Sequence, residues 1–290
     1  MKHQLYLLFF LGITLHSISQ KVTGKLSFEQ GQVFQVTLQL KSTISQQAMG
    51  QAIDFTVDAA GEHAYKVTNA TEDNSTLNHS VNRVSFAFDG MGQKRSFDSN
   101  QEKDLNGPFG KPVKELLEKK FDIIVDTAGT TLMALPEKIE LTAGDQRMAL
   151  IQGMMKDVFN LVQPPKKGTA SFFKILPDNA TGKGEPWTVS TTLDNGKMDA
   201  AYSISDINDS TIVVDFATTS NTISKAEVMG NETTTTMNNK STGKIIIDRA
   251  TGILREKTET TESNGNTETS FGTLPVTAKT TTTITVKKAP

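Results

Sequence analysis

The residues that could do chemistry in this chain are few, and their types and spacing are the first constraint on what it does. Cysteine is absent and histidine occurs four times, two of them, His3 and His16, inside an N-terminal apolar segment. Nucleophilic catalysis needs a serine or cysteine held by a base, and only His63 and His79 remain to supply one; no G-x-S-x-G turn accompanies them. Both fall on strand or loop positions and are expected to be partly exposed. Two histidines sixteen residues apart are also too few for the close nitrogen and sulfur array that zinc requires. Asp206, Asn208 and Ser210 have the alternating spacing of a calcium loop, but Thr211 stands where its glycine belongs and Ala217 where its bidentate acid belongs, so a β-turn is expected. Gly182-Lys183-Gly184 is followed by Glu185-Pro186-Trp187 and not by a helix, which leaves no helix N-terminus to receive a phosphate. Glu256, Glu259 and Glu262, at strand spacing, point to different faces and are expected on an exposed strand rather than in a glycosidase pair. The expectation is a protein that is not an enzyme and needs no cofactor or metal.

What remains is an apolar surface. Met148, Ile151, Met154, Met155, Val158 and Phe159 recur at helical spacing, and methionine is flexible and polarizable enough to accept irregular apolar ligands. These six residues are the candidate ligand-binding set. They belong to an expected helix over 145–161, with Asp145 as cap and Pro164-Pro165 as stop; Gly153 in its middle costs about 1 kcal/mol against alanine, so packing must hold it. A shorter helix is expected from Pro112 to Lys120, burying Val113, Leu116 and Leu117. Trp187, the only tryptophan, is expected to anchor the core at a strand entrance.

The elements that must position this helix are strands. Apolar and polar residues alternate at Phe34–Leu40, Ile53–Val57, Val84–Phe88, Trp187–Leu193 and Ile212–Phe216, the pattern of antiparallel strands with one buried face. Asp194-Asn195-Gly196 and Asn264-Gly265-Asn266 are expected to be tight turns. The threonine-rich stretch from Thr258 to Thr285 is expected to be strand, since threonine suits a pleated surface. A weak internal repeat brackets the longer helix. Tyr65 to Leu77 echoes Tyr202 to Ile212, and Ile123-Ile124-Val125-Asp126 with Gly129 echoes Ile245-Ile246-Ile247-Asp248 with Gly252. Two related strand sets, about 20–143 and 166–290, are therefore expected to form a single domain over 20–290. The expected fold class is α+β, mostly antiparallel β, with a curved sheet or half-barrel and two helices on the concave face.

Composition agrees. Apolar residues at 36% and charged residues at 21% of 290 suit a strand-rich domain, and a formal net charge of −2 gives no reason to expect nucleic acid. Lys2, the apolar run Leu5–Leu15 and the small residues Ser17 and Ser19 form an expected secretory signal peptide over 1–19, cut before Gln20. The run is about half the ~20 residues that span a bilayer. No later stretch is long and apolar enough to do so, and the exported protein is expected in the periplasm or outside the cell.

The motif order resembles an uncharacterised family of exported proteins common in Bacteroidetes, a domain of unknown function. The residues that carry it are Leu26-Ser27-Phe28-Glu29-Gln30-Gly31-Gln32, Met49-Gly50, Ser96-Phe97-Asp98-Ser99, Phe121 to Asp126 with Gly129, Gly184-Glu185-Pro186-Trp187, and Ile245 to Asp248 with Thr251-Gly252-Ile253-Leu254. Where that family has a Gly-Asp-Ser-Trp type sequence, this chain has Gly-Glu-Pro-Trp. The resemblance implies no catalytic residues. The strand pattern is also similar to the half-barrels of periplasmic lipoprotein-carrier proteins, which implies a concave face able to hold an acyl chain. The functional expectation is an apolar ligand, such as a lipid, between helix and curved sheet; the alternative is a structural or interaction scaffold of the cell envelope with no ligand cavity.

Overall fold

The computed structural model describes residues 20–48, 51–90, 92–139, 161–193, 195–228, 231–270 and 272–289. The expected signal peptide and all but the last residue of the expected helix 145–161 lie outside the described residues.

Alternating burial sorts the chain into long strands. In β3 (Gln51–Ala70) every second residue from Val57 to Val67 is buried, because side chains of a strand point to opposite faces in turn. Two consecutive meanders result. The first comprises β2 (Val33–Ala48), β3, β4 (Asn74–Gly90), β5 (Gln93–Asp98), β6 (Lys120–Asp126) and β7 (Thr131–Leu135). The second comprises β9 (Pro186–Leu193), β10 (Gly196–Ile207), β11 (Thr211–Val228), β12 (Asn231–Asp248), β13 (Leu254–Thr269) and β14 (Gly272–Lys288). They join where β14 pairs antiparallel with β2, giving one sheet in the order β7-β6-β4-β3-β2-β14-β13-β12-β11-β10-β9, with β5 beside β4. The sheet is curved and unclosed, its ends being β7 and β9. A separate two-stranded pair, β1 (Lys21–Val22) with β8 (Thr181–Gly182), ties the segment before β2 to the segment before β9.

The fold class is therefore as expected: antiparallel β dominates and two short helices accompany it. α2 (Gly110–Glu118) buries Val113 and Leu116, matching the expected shorter helix to within two residues. A four-residue helix, α1 (Glu102–Leu105), precedes it and was not expected. The hairpin at Asn195 is present, with Leu193 opposite Gly196. Asn264-Gly265-Asn266, however, is no turn: it lies within β13, paired to both β12 and β14. A side chain at Gly265 would run into the Thr236 carbonyl oxygen and then the Met237 Sδ at 2.8 Å, so this glycine answers to a close neighbour and not to a reversal of the chain. The actual hairpin falls between Thr269 and Gly272.

Residues that face each other across antiparallel strands share a face, so the register defines an inner face. At one end it is a basin of Phe34, Tyr65, Leu77, Ile123, Val214, Ile245 and Leu254. The basin is filled by Leu26 and Phe28 from the N-terminal segment and by Phe172, Phe173 and Leu176 from the connection before β8. Phe173, fully buried, packs edge-on against Phe28 at 5.4 Å and Tyr65 at 5.2 Å. Leu26 sits between two like turns. Its N–H donates to the Thr127 carbonyl while the next residue, Ser27, donates to the Thr251 carbonyl. Asp126 and Asp248 accept side-chain bonds from the Thr130 and Thr251 amides. Gly129 and Gly252 follow at φ 81° and 71°, a left-handed backbone that favours glycine.

Candidate functional site

The six candidate ligand-binding residues, Met148, Ile151, Met154, Met155, Val158 and Phe159, lie outside the described residues. What the structure places is the sheet face they were expected to meet.

His63 and His79 are not partly exposed. They are 1% and 0% exposed, on adjacent strands of the inner face, with His63 Nδ1 3.0 Å from His79 Nε2. The alternation of β3 and β4 continues through both residues, which turns the two imidazoles inward beneath Tyr65 and Phe121; the His79 ring stacks on Phe121 at 4.3 Å. One ring must donate its N–H to the other, and the outer nitrogens, His63 Nε2 and His79 Nδ1, have no partner. Burial pushes the His63 pKa down to about 4; burial and the neighbouring His63 push that of His79 down to about 3. The pair is neutral at pH 7 and packed under aromatic rings. Among the described residues, no group of three or more His, Cys, Asp or Glu could hold a metal ion.

A second constellation was not expected. Along the inner face of the C-terminal strands, the register sets Trp187 opposite Tyr202, Tyr202 opposite Phe216, Phe216 opposite Gly243 and Gly243 opposite Glu259. Trp187 stacks on Tyr202 at 5.3 Å, and Phe216 follows at 6.0 Å. Gly243 is required here because a Cβ would run into the Thr258 carbonyl oxygen and stand 2.6 Å from the Phe216 ring, which leans across it. The Lys257 ammonium lies 4.8 Å over that ring, a cation–π contact, and 2.7 Å from Glu259. Their side chains are 28% and 19% exposed, so the ion pair is half withdrawn from water. Burial, and then the Glu259 charge, raise the Tyr202 pKa. Trp187 thus packs at the edge of the core, as expected, but as one end of a cross-strand row. Glu259 corrects the expectation of an exposed strand, whereas Glu256 and Glu262 do face the other way. Two signals in the sequence mark the row: aromatic residues at matching depth in successive hairpins, and a glycine opposite one of them.

Beyond this row the inner face changes chemistry. Ser241 and Thr261 hydroxyls lie 2.8 Å apart, Ser42 and Thr280 2.8 Å, Thr235 and Thr267 3.0 Å, and Asn239 donates to Ser220 at 3.1 Å. The face runs from an apolar basin, through the aromatic and charged row, to a ladder of hydroxyls.

The outer face carries a depression of about 900 Å³ bordered by Lys41, Asp58, Glu262 and Lys279. Its charges are paired, Lys41 with Asp58 and Lys279 with Glu262. Asn208 accepts bonds from the Ser210 and Thr211 amides, forming the expected turn. Gly182 donates to Glu185, which pairs with Lys21, so that loop serves to pin the first strand. No helix among the described residues is long and apolar enough to cross a membrane.

No curated protein sequence matches the chain. Among solved structures it is similar to lipovitellin, in a study of lipid–protein interactions, at 12% identity and a TM-score of 0.47, over 91% of this chain and 26% of that one. It therefore spans about a quarter of the lipovitellin chain. It is also similar to an outer membrane channel from Pseudomonas putida F1, at 9% identity and a TM-score of 0.24 over 91% and 98% of the two chains. A third similarity is to OccK7 of Pseudomonas aeruginosa, at 6% and 0.25 over 91% and 100%. None of these likenesses assigns the chain a ligand. A model of DUF6263, a family of unknown function, matches residues 72–254, more than half of the sequence, and the protein belongs to that family.

Proposed function

We propose that this chain is an exported, non-enzymatic protein, periplasmic or secreted, that holds a lipid or other apolar ligand along the inner face of its sheet. The observation that carries the reading is the order of surfaces on that face beyond the filled basin: Trp187, Tyr202 and Phe216 with Lys257 and Glu259, then hydroxyls. An amphiphile would set its apolar part on the aromatic row and its head on the hydroxyls, and an apolar surface with a few placed polar groups is the usual make-up of a ligand site. The two histidines, neutral and enclosed by rings, offer no exposed base beside a nucleophile, which supports a binding role over a catalytic one.

Native mass spectrometry of gently purified protein is expected to find bound lipid, and delipidated protein is expected to take up a fluorescent fatty acid. Replacement of the half-buried Trp187 by Ala should weaken uptake with an unchanged circular dichroism spectrum. Protein that is empty on purification and ignores every acyl probe would overturn the reading.

The scaffold reading is favoured by a different observation. Leu132, Met133 and Leu135 on β7 and Val189 on β9 are large apolar residues left exposed, and they sit on the two end strands of the sheet. It predicts a protein partner cross-linked through those strands in the envelope and no lipid in the purified chain.

A further inference from the structure

The two ends of the sheet are guarded differently. Native proteins protect edge strands with charges, bulges, shortness or a covering segment. β7 has five residues, a register shift beside Leu132, and a covering segment: Thr131 donates to Thr169 and accepts from Gly168. β9 has eight residues, an unbroken register with β10, and no charged residue from Pro186 to Leu193. Among the described residues no strand pairs with its far side, and Val189 is 45% exposed there.

We infer that β9 is the interface of a symmetric dimer, pairing antiparallel with β9 of a second copy of this chain. The strand is complementary to itself. With Ser190 on the two-fold axis, Val189 meets Thr191, Thr188 meets Thr192 and Trp187 meets Leu193 of the other copy. Every cross-strand pair is then apolar or hydroxyl-bearing, and no register sets like charges opposite each other. Antiparallel pairing keeps faces in common, so the inner faces become continuous and the partner's leucine covers the exposed end of the Trp187–Tyr202 stack. β5 also pairs on one side only, with β4, but carries Lys94, Arg95 and Asp98, so among the described residues β9 is the edge strand left without charge or cover. One unguarded edge per chain closes on itself as an isologous pair, whereas two would propagate into a filament. The lone proline, Pro186, stands at the first position of β9, where it leaves the amides from Trp187 onward free to pair. This inference is independent of whether the inner face takes a ligand.

Sedimentation equilibrium of the purified full chain is expected to give twice the chain mass, and Val189→Lys to give the single mass with an unchanged circular dichroism spectrum. Ile223→Lys, at a more exposed apolar residue of β11 outside the proposed seam, should leave the dimer intact. Because the chain has no cysteine, Ser190→Cys offers a clean second readout: mild oxidation should give a covalent dimer, with Ile223→Cys remaining largely uncoupled. Wild-type protein that stays monomeric at every concentration, a Val189→Lys variant that stays dimeric, or equal coupling of the two cysteine variants would each overturn the inference. Ligand uptake by a monomeric Val189→Lys variant would leave the proposed binding role standing while separating it from dimerisation.

Discussion

The N-terminal and C-terminal strands share one sheet and one curvature, yet they finish their inner faces in opposite ways. In the N-terminal half apolar residues continue along the strands, through Leu40, Val57, Val84 and Phe86; α2, with Val113 and Leu116 buried, packs on β4, and Phe109 lies edge-on to Phe86 at 5.5 Å. In the C-terminal half the apolar rows stop after Val214 and Ile245; the aromatic row closes the core and hydroxyls take over. An apolar face must be buried against another layer, whereas a hydroxyl face can satisfy itself by lateral hydrogen bonds. The same strand topology thus supports an apolar, covered half and a half finished by hydroxyls.

Four changes would break or sharpen that contrast, from the largest effect down. Phe173→Ala removes the ring against which Phe28, Phe34 and Tyr65 pack in the basin, and should cost about 3–5 kcal/mol, seen as one cooperative loss of stability in urea; separate unfolding of the two halves would show that each is a core in its own right.

Acid comes next and should strike the N-terminal half. His63 and His79 titrate in the folded chain at about 4 and about 3, below the usual histidine value near 6.5. The unfolded chain therefore binds more protons than the folded one between these values, and stability falls as pH drops from about 6.5 toward 4, by up to about 1.4 kcal/mol per pH unit for each histidine. Urea midpoints measured across this range should show the slope, and the double variant His63→Leu, His79→Phe should flatten it.

In the C-terminal half, Gly243→Ala would push Phe216 away from Lys257, an overpacking cost of about 1–3 kcal/mol. It should also change the fluorescence of Trp187, the single tryptophan, which reports on the row through Tyr202. Unaltered emission would mean that the row is not a connected unit. Smallest is Ser241→Ala, which deletes one lateral bond and should cost about 1 kcal/mol, with no effect on the N-terminal half.

The strands were legible because alternation at period two is local. Phe34 to Leu40, Ile212 to Phe216 and even the threonine-rich stretch announce a strand with one inward face, and the apolar stripe through Val113 and Leu116 announces α2. Histidine placement was not legible in the same way. His63 and His79 are polar residues standing at inward positions, and nothing within their own strands shows that Tyr65, Phe121 and the opposing imidazole will close over them. Asn264-Gly265-Asn266 has the composition of a turn, but the register with β12 and β14 overrides it. The aromatic row was hidden for a similar reason: Trp187, Tyr202, Phe216, Lys257 and Glu259 are spread over more than seventy residues of sequence, and only strand pairing brings them side by side.

By itself the sequence determined which residues extend, which face of each strand is apolar, where the helix α2 forms, and that no thiol chemistry exists, since these follow from side-chain type and local periodicity. Only the tertiary structure decided the strand order, the junction of the two meanders through β14 and β2, the burial of the histidine pair, and which edge stands unguarded. Each of these depends on contacts between residues far apart in the chain, whose pairing is set by register and packing and not by any local preference.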